Sequence, residues 1–322
     1  MTLTRRSFGL AALGGAALPA LPAVPALAKA PQDSGQVPGV YRMKVGTFEV
    51  TVLNDGWLPI ESKNYSGDPA GAEKLLHAAF QPDATPTPVN EWLINTGDKL
   101  VLVDTGTSNV LAPTLGRMAK SLAAAGVDAA AIDAVVISHI HPDHCAGLLT
   151  TDKKVAFPNA TVHVNADEYA WWTQGDIKVP DAKPFWKPFT ELGRAAFKPY
   201  ADAGKVQTFK DGTELVPGIT AIAAPGHTVG HSMVRVHPAG GDLLLWVDIV
   251  HNAALQFPEP ERAIAFDLER PKAIATRKKV MDMAATDRVM VGGTHLAFPG
   301  IGHVARAGTG YAWVPVAWNP DL

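Results

Sequence analysis

The sequence has 322 residues, of which 47% are hydrophobic and 18% are charged. This composition is that of an ordinary globular protein, and it excludes a disordered or fibrous chain. The formal net charge of -3 provides no basic face for nucleic acid and no polybasic run for anionic lipid, so a small-molecule partner is expected. The single cysteine, Cys145, excludes an internal disulfide and is expected to be a small buried residue.

Residues 1–30 have the pattern of an export signal. Arg5 and Arg6 precede an apolar stretch rich in Ala, Gly and Leu. Glycines and prolines interrupt that stretch, which argues against a stable membrane anchor. Because Phe8 follows the paired arginines closely, the segment resembles a twin-arginine signal. We therefore predict a periplasmic or secreted protein with one folded domain over 31–322.

The first half of that domain predicts strands and one helix. Apolar and β-branched residues favour strands over 41–53, 91–95 and 100–104. The Ala-rich segment 111–125 predicts a helix, and 132–138 predicts a short buried strand.

The second half begins with an unusual segment, 166–198, which is crowded with aromatic residues and prolines. We expect it to cover the sheet rather than join it. Strands are predicted again over 206–209, 219–223, 233–236, 243–247 and 289–291, with a helix over 271–285 before the last strand. Alternating strands and helices of this kind predict a layered α/β domain.

Polar residues with catalytic potential follow the predicted strands. They are Asp104, the motif that begins at His139, and then His227, Asp248 and His295. Sites in layered α/β proteins are commonly assembled in this way, because rigid strands deliver several short loops to one rim.

The motif His139-Ile140-His141-Pro142-Asp143-His144 is rich in metal ligands. Two imidazoles separated by one residue at a strand end point the same way, so His139 and His141 are predicted to hold one ion. Asp143 and His144 start the next helix and are predicted to reach a second ion. Imidazole and carboxylate together suit zinc, manganese, cobalt or iron, with zinc as the expected metal.

Distant residues complete the predicted pair of sites. His227 joins the first ion, His295 joins the second, and Asp248 lies between them. A role as ordinary polar loop residues is the alternative, but the clustering of the motif argues against it. His231 and His303 lie in Gly-punctuated turns near these loops and are predicted to support the ligands from behind.

Together these motifs resemble the metallo-β-lactamase superfamily. The order His139 to His144, His227, Asp248 and His295 carries the resemblance, and the segment 295–303 is similar to that of methyl parathion hydrolase and its lactonase-like relatives. The resemblance implies an αββα sandwich over 31–322, two divalent metal ions and a homodimer. It also implies that Asp104 braces the ligand loops and is not a ligand.

The predicted reaction is hydrolysis by a hydroxide that bridges the two ions and attacks a lactone or aryl-ester carbonyl. Asp143 and Asp248 are the predicted catalytic residues, and Asp143 is placed to relay a proton to the leaving group. Organophosphate triester hydrolysis is the alternative. A β-lactamase and a non-enzymatic metal-binding protein are less favoured, the latter because the ligand set leaves open coordination positions.

The covering segment and the loop after Asp248 supply the predicted substrate pocket. Its aromatic and apolar residues favour a neutral apolar substrate. Three residues beyond Asp248, His251 is predicted to hydrogen-bond a polar substrate oxygen. The predicted pocket residues are Trp171, Trp172, Phe189, His251, Ile264 and Phe266.

Overall fold

Two mixed sheets, each of seven strands, are packed face to face in the computed structural model, which describes residues 30, 32–33, 35–175, 177 and 184–321. All but the last residue of the predicted export signal lie outside these described residues. The helices and strands described here belong to the unit Pro38–Leu322. Among the described helices, none has the length and apolarity needed to cross a membrane.

The first sheet follows the chain order of its strands. Its neighbours pair antiparallel up to β4, and parallel from β4 to β7. The strands are β1 Val40–Val45, β2 Phe48–Glu61, β3 Ala84–Asn95, β4 Leu100–Val103, β5 Ala134–Ile137, β6 Thr161–Asn165 and β7 Val206–Phe209.

The second sheet also follows chain order, and one parallel pair, β11 with β12, lies inside otherwise antiparallel neighbours. Its strands are β8 Glu214–Val216, β9 Ile219–Ala223, β10 Ser232–Val236, β11 Leu243–Val247, β12 Met290–Gly293, β13 Ile301–Ala307 and β14 Gly310–Pro315.

Helices cover the outer faces of both sheets. They are α1 Pro69–Ala78, α2 Met118–Ala124, α3 Pro142–Cys145, α4 Ala166–Thr173, α5 Trp186–Asp202, α6 Ala253–Gln256 and α7 Arg270–Asp287. Strand alternation divides the core, since Val52 packs between the sheets while the next residue, Leu53, packs outward among residues of α2 and α5. Residues of α7 pack on the opposite outer face. The predicted αββα sandwich is confirmed.

Two element predictions in the first sheet were wrong. The segment 41–53 is a hairpin of two strands that turns at Gly46, not one strand. The strand predicted from Glu91 begins at Ala84 and contains Pro86 and Pro88. These prolines are tolerated because β4 pairs only with Trp92–Asn95, which leaves the proline-bearing half of β3 with a free edge.

The predicted helix 111–125 is also shorter than expected. Buried Asp55 accepts hydrogen bonds from the backbone N–H groups of Thr107, Gly116 and Met118 at 3.1, 3.1 and 2.8 Å. These bonds hold the chain before Met118 in a loop, so α2 begins there.

Candidate metal centre

Four loops meet at one rim of the sandwich and carry the predicted ligands. The loops after β5, β11 and β12 follow strands that pair in parallel, and His227 lies in the loop between β9 and β10. Pro142 at the first position of α3 starts the short helix that presents Asp143 and His144. The predicted ligands are therefore brought together by the fold.

The first group consists of His139, His141, His227 and Asp248, all buried. The Nδ1 atom of His141 lies 3.0 Å from the Nε2 atom of His139 and 3.0 Å from the Nε2 atom of His227. Asp248 Oδ2 lies 3.2 Å from His227 Nε2. One donor atom from each residue lies within 4.8 Å of the others, as a single bound ion requires.

The second group consists of Asp143, His144 and His295. Asp143 Oδ2 lies 3.6 Å from the Nε2 atom of each of these two histidines. Asp248 Oδ2 is 3.3 Å from His144 Nε2 and 3.2 Å from His295 Nε2. Asp248 therefore lies between the two groups, in the place that the sequence predicted for it.

The outer ring nitrogens of three histidines have acceptors that fix the orientation of each ring. Each of three histidines directs its Nδ1 atom to an acceptor: His227 to Asp267 Oδ1 at 2.8 Å, His144 to Asp104 Oδ2 at 2.8 Å and His295 to the Pro88 carbonyl at 2.9 Å. In the neutral ring with Nδ1 as the donor, the lone pair lies on Nε2, so these acceptors orient the Nε2 atoms for metal binding. This donor set fits divalent metal ions such as zinc.

The electrostatics of the cluster divide its histidines. Burial acts to lower the pKa of His144, His227 and His295, but neighbouring carboxylates, Asp248 above all, outweigh it and raise all three, that of His227 to about 9, so a metal ion must displace a proton from these rings. Burial lowers the pKa of His139 and of His141 well below the usual range, which favours the neutral rings that coordinate metals. Burial acts to raise the pKa of Asp248, but the surrounding imidazoles, with His144 and His295 first, outweigh it and hold that pKa well below its usual range. Asp248, which lies between the two groups, is therefore ionised.

Two of the predicted supporting residues lie behind the ligands. Asp104 accepts hydrogen bonds from the Ser138 backbone N–H at 2.8 Å and from the Ser138 hydroxyl at 2.7 Å, besides its contact with His144. His231 directs Nδ1 to the Ala224 carbonyl, and its Nε2 accepts the backbone N–H of Asp248 at 3.3 Å. Both residues fix loops that carry ligands.

The third, His303, lies elsewhere. It is exposed on β13, paired with Val314, and has no hydrogen bond to a ligand in the part of the chain that the structure describes. Alternation along the strand turns this side chain away from the neighbouring buried residues Gly302 and Val304.

Sequence reasoning missed two buried carboxylates. Asp267 contacts His227, and its Oδ2 accepts hydrogen bonds from the Ile264 N–H at 3.0 Å and from Arg277 Nη2 at 3.4 Å. Glu168 of α4 accepts backbone N–H groups from two ligand loops. An acidic residue inside an aromatic or apolar segment was the available signal for both.

An apolar cavity of about 160 Å³ opens directly on the ligands. Besides ligands and His251, it is lined by Leu58, Ile60, Leu111, Phe189 and Phe266. The cavity thus includes three of the predicted pocket residues, together with apolar residues of β2 that the sequence did not indicate.

The other three predicted pocket residues lie outside this lining. Trp172 is fully buried and packs edge-on against His141, with ring centroids 5.6 Å apart. Trp171 packs against Trp172, and Ile264 is buried among residues of β2, α1 and α6. They support the walls of the site from behind.

Comparison with known proteins places this arrangement in a family. A sequence model of the metallo-beta-lactamase superfamily matches residues 84–295, which include every predicted ligand. The chain belongs to the metallo-β-lactamase superfamily. The comparison with curated proteins gave no match.

Solved structures agree over most of the chain. The hydrolase AbOPH of the beta lactamase superfamily is 31% identical with a TM-score of 0.84, and the match covers 88% of this chain and 100% of that one. The dizinc quorum-quenching lactonase AidC, solved with a product, is 26% identical with a TM-score of 0.82, covering 88% and 99%. A probable metal-dependent hydrolase from Staphylococcus aureus, 20% identical with a TM-score of 0.70 over 86% and 100%, shares the fold. The superfamily predicted from the sequence is confirmed.

Proposed function

We propose that this protein is a dinuclear-metal hydrolase that opens lactones or cleaves aryl esters of neutral, apolar substrates. The observation that carries the proposal is the apolar cavity, which opens directly on both ligand groups. His139, His141 and His227 would hold one ion, Asp143, His144 and His295 the other, and Asp248 both. When bound, two such ions supply an activated water and an electrophile for the substrate oxygen.

The lining of the cavity favours an uncharged substrate. Its walls are Leu58, Ile60, Leu111, Phe189 and Phe266, and none of the described lining residues is a lysine or an arginine. Away from the metal ions, a substrate carboxylate such as that of a β-lactam would meet apolar walls without a cationic side chain and would lose its hydration. The cavity therefore favours an apolar acyl or aryl group over a β-lactam.

His251 is the polar residue of the cavity wall that belongs to neither of the two predicted ligand sets. Its Nε2 atom lies 3.2 Å from Asp248 Oδ2, and its ring stacks on His295 with centroids 4.9 Å apart. Burial lowers the pKa of His251 to about 4, so the ring is neutral at pH 7. Because Nε2 donates to the Asp248 carboxylate, Nδ1 of the neutral ring is an acceptor, and it has no partner among the described residues. His251 therefore acts on the site through its contact with Asp248.

The similarity to AidC supports the lactone assignment, since that protein is a dizinc lactonase that aligns over 88% of this chain. An organophosphate triester is the second candidate, because the uncharged walls also suit a neutral triester. Asp143 is placed to handle the leaving-group proton, because it lines the cavity and its side chain is 12% exposed.

Substrate comparison tests the proposal. The purified protein, loaded with zinc, would be assayed with dihydrocoumarin, phenyl acetate, methyl paraoxon and a β-lactam. We expect the highest kcat/KM with the lactone or aryl ester, and preferential turnover of methyl paraoxon would favour the triesterase instead. His251→Leu removes the hydrogen bond from His251 to Asp248 and should lower kcat/KM for dihydrocoumarin about 10-fold, the scale of one lost hydrogen bond. The matched control, His303→Leu, alters an exposed histidine and should have no effect.

A further inference from the structure

Glu168 is a fully buried carboxylate on α4 whose contacts join two separate ligand loops. Its Oε1 accepts the backbone N–H of Ile140 at 2.9 Å, and its Oε2 accepts the backbone N–H of Gly230 at 2.7 Å. Each oxygen of one carboxylate therefore holds a different loop. Hydrogen bonds to an ionised acceptor are among the stronger ones in proteins.

The two loops come from different sheets and carry the same metal site. Ile140 lies between His139 and His141, after β5 of the first sheet. Gly230 lies in the loop between β9 and β10 of the second sheet, three residues after His227. The residue after Gly230 is His231, which accepts the backbone N–H of Asp248.

The two loops lie so close to the covering helices that glycine is required at the points of contact. A Cβ atom on Gly230 would lie 2.6 Å from Asn165 Oδ1 and 2.6 Å from the Glu168 backbone nitrogen. On the other side, a Cβ atom on Gly193 of α5 would lie 2.6 Å from a methyl group of Ile140. Both loops are thus pressed against the covering helices, with Glu168 at the point where they meet.

We propose that Glu168 is a positioning residue for the first metal ion, the one assigned to His139, His141 and His227. The carboxylate fixes the distance between the two loops that carry these histidines, one from each sheet. Its bond to Ile140 lies between His139 and His141, its bond to Gly230 lies in the loop of His227, and neither of these two bonds involves the loop that carries His295. Asp143 and His144 follow in the Ile140 loop only after Pro142 starts α3, so the effect should be greatest at the first ion.

The burial of Glu168 supports a specific role. An ionised carboxylate in an apolar interior is costly unless hydrogen bonds compensate it, and an apolar side chain would dock α4 without that cost. Burial raises the pKa of Glu168, while the N–H groups of Ile140 and Gly230 act to lower it. What the carboxylate provides, and a hydrocarbon cannot, is a pair of fixed acceptors for two backbones.

The test measures the zinc affinity of each of the two sites separately. His295→Ala disables the second site and His227→Ala disables the first, so each background retains one complete site. Glu168→Gln, which replaces one acceptor oxygen by a donor, is added to both backgrounds in the full chain. Zinc dissociation constants are measured by competition with a chromogenic chelator. Asp167→Asn, an exposed change of the same charge on the same helix, is the matched control.

We expect Glu168→Gln to weaken zinc binding about 10- to 100-fold in the His295→Ala background and less than about 2-fold in the His227→Ala background. Equal losses at both sites, or no loss at the first, would overturn the proposal. If Glu168→Gln does not fold, Glu168→Asp keeps the charge but is too short to span both N–H groups, and the same comparison decides. The inference rests on the two-ion centre of the proposed function, but the measurement involves no turnover, so a wrong substrate assignment would not affect it.

Discussion

The clearest single test of the support behind the metal ligands is Asp267→Asn. The Asp267 side chain is fully buried and faces three donors: His227 Nδ1 at 2.8 Å, the Ile264 N–H at 3.0 Å and Arg277 Nη2 at 3.4 Å. Asparagine offers one acceptor oxygen and places an NH2 donor where the second oxygen was. At least one donor is then left facing another donor, and Arg277 loses this carboxylate.

The size of the effect follows from these contacts. Removing one partner of a buried ion pair costs about 3–5 kcal/mol of unfolding free energy. Arg277 retains hydrogen bonds to the carbonyls of Ile249, Pro260 and Arg262, so we expect a value near the lower limit, about 3 kcal/mol. His227 loses the carboxylate that orients its ring, and zinc affinity should fall about 10- to 100-fold.

Urea denaturation and zinc competition measure the two effects. Asp242→Asn is the matched control, because Asp242 pairs with Arg235 at 2.7 Å on the surface. An exposed pair of this kind is worth about 0–1 kcal/mol and lies away from the ligands. The reasoning is refuted if Asp267→Asn binds zinc as tightly as the unmodified protein, or if the two variants lose equal stability.

Three further predictions concern the metals, a buried acid and the cavity. Treatment with a chelator should abolish hydrolysis, and zinc, manganese or cobalt should restore it; activity in demonstrably metal-free protein would contradict the two-ion centre. Burial, together with the nearby carboxylates of Asp55 and Asp104, raises the pKa of Glu91 well above its usual 4.5. Protonated Glu91 therefore contributes fully to stability below pH 4.5, and this contribution is lost as the pH rises from 4.5 towards the raised pKa of the folded state. Glu91→Gln removes this loss. Between pH 6 and pH 8, the unfolding free energy of the variant should rise relative to that of the unmodified protein by up to about 1.4 kcal/mol per pH unit. If the two proteins have the same pH dependence, Glu91 is not protonated in the folded state. Phe266→Ala removes a ring stacked on Phe189, with ring centroids 6.4 Å apart. In steady-state kinetics with phenyl acetate, it should raise KM more than it lowers kcat. A larger fall in kcat would mean that Phe266 acts on the chemical step.

The candidate ligand groups could be predicted from the sequence because their chemistry is local. His139, His141, Asp143 and His144 lie within one short motif, and its spacing alone points to metal binding. His227, Asp248 and His295 could be found because each follows an apolar run, and strand ends meet at one rim of a layered sheet. The αββα arrangement could be predicted from the same motifs through their family resemblance.

The cavity beside the candidate ligands could be predicted only in part. Phe189, Phe266 and His251 line the cavity as expected, but Leu58 and Ile60 come from β2, far away in sequence. A register shift after Asn54 in the pairing of β2 with β3 precedes these two residues. A bulge of this kind changes which side chains face a given side, and the apolar pattern of a strand does not reveal it.

Chain composition and short motifs determined the class of protein and the candidate ligands, since metal coordination depends on residue type and local spacing. Only the tertiary structure decided what holds those ligands in place. Glu168 lies 28 residues from Ile140 and 62 from Gly230, and Asp267 lies 40 from His227. A buried carboxylate that braces a loop has no periodicity and no fixed spacing from its partner, so its role appears only when the chain has folded around it.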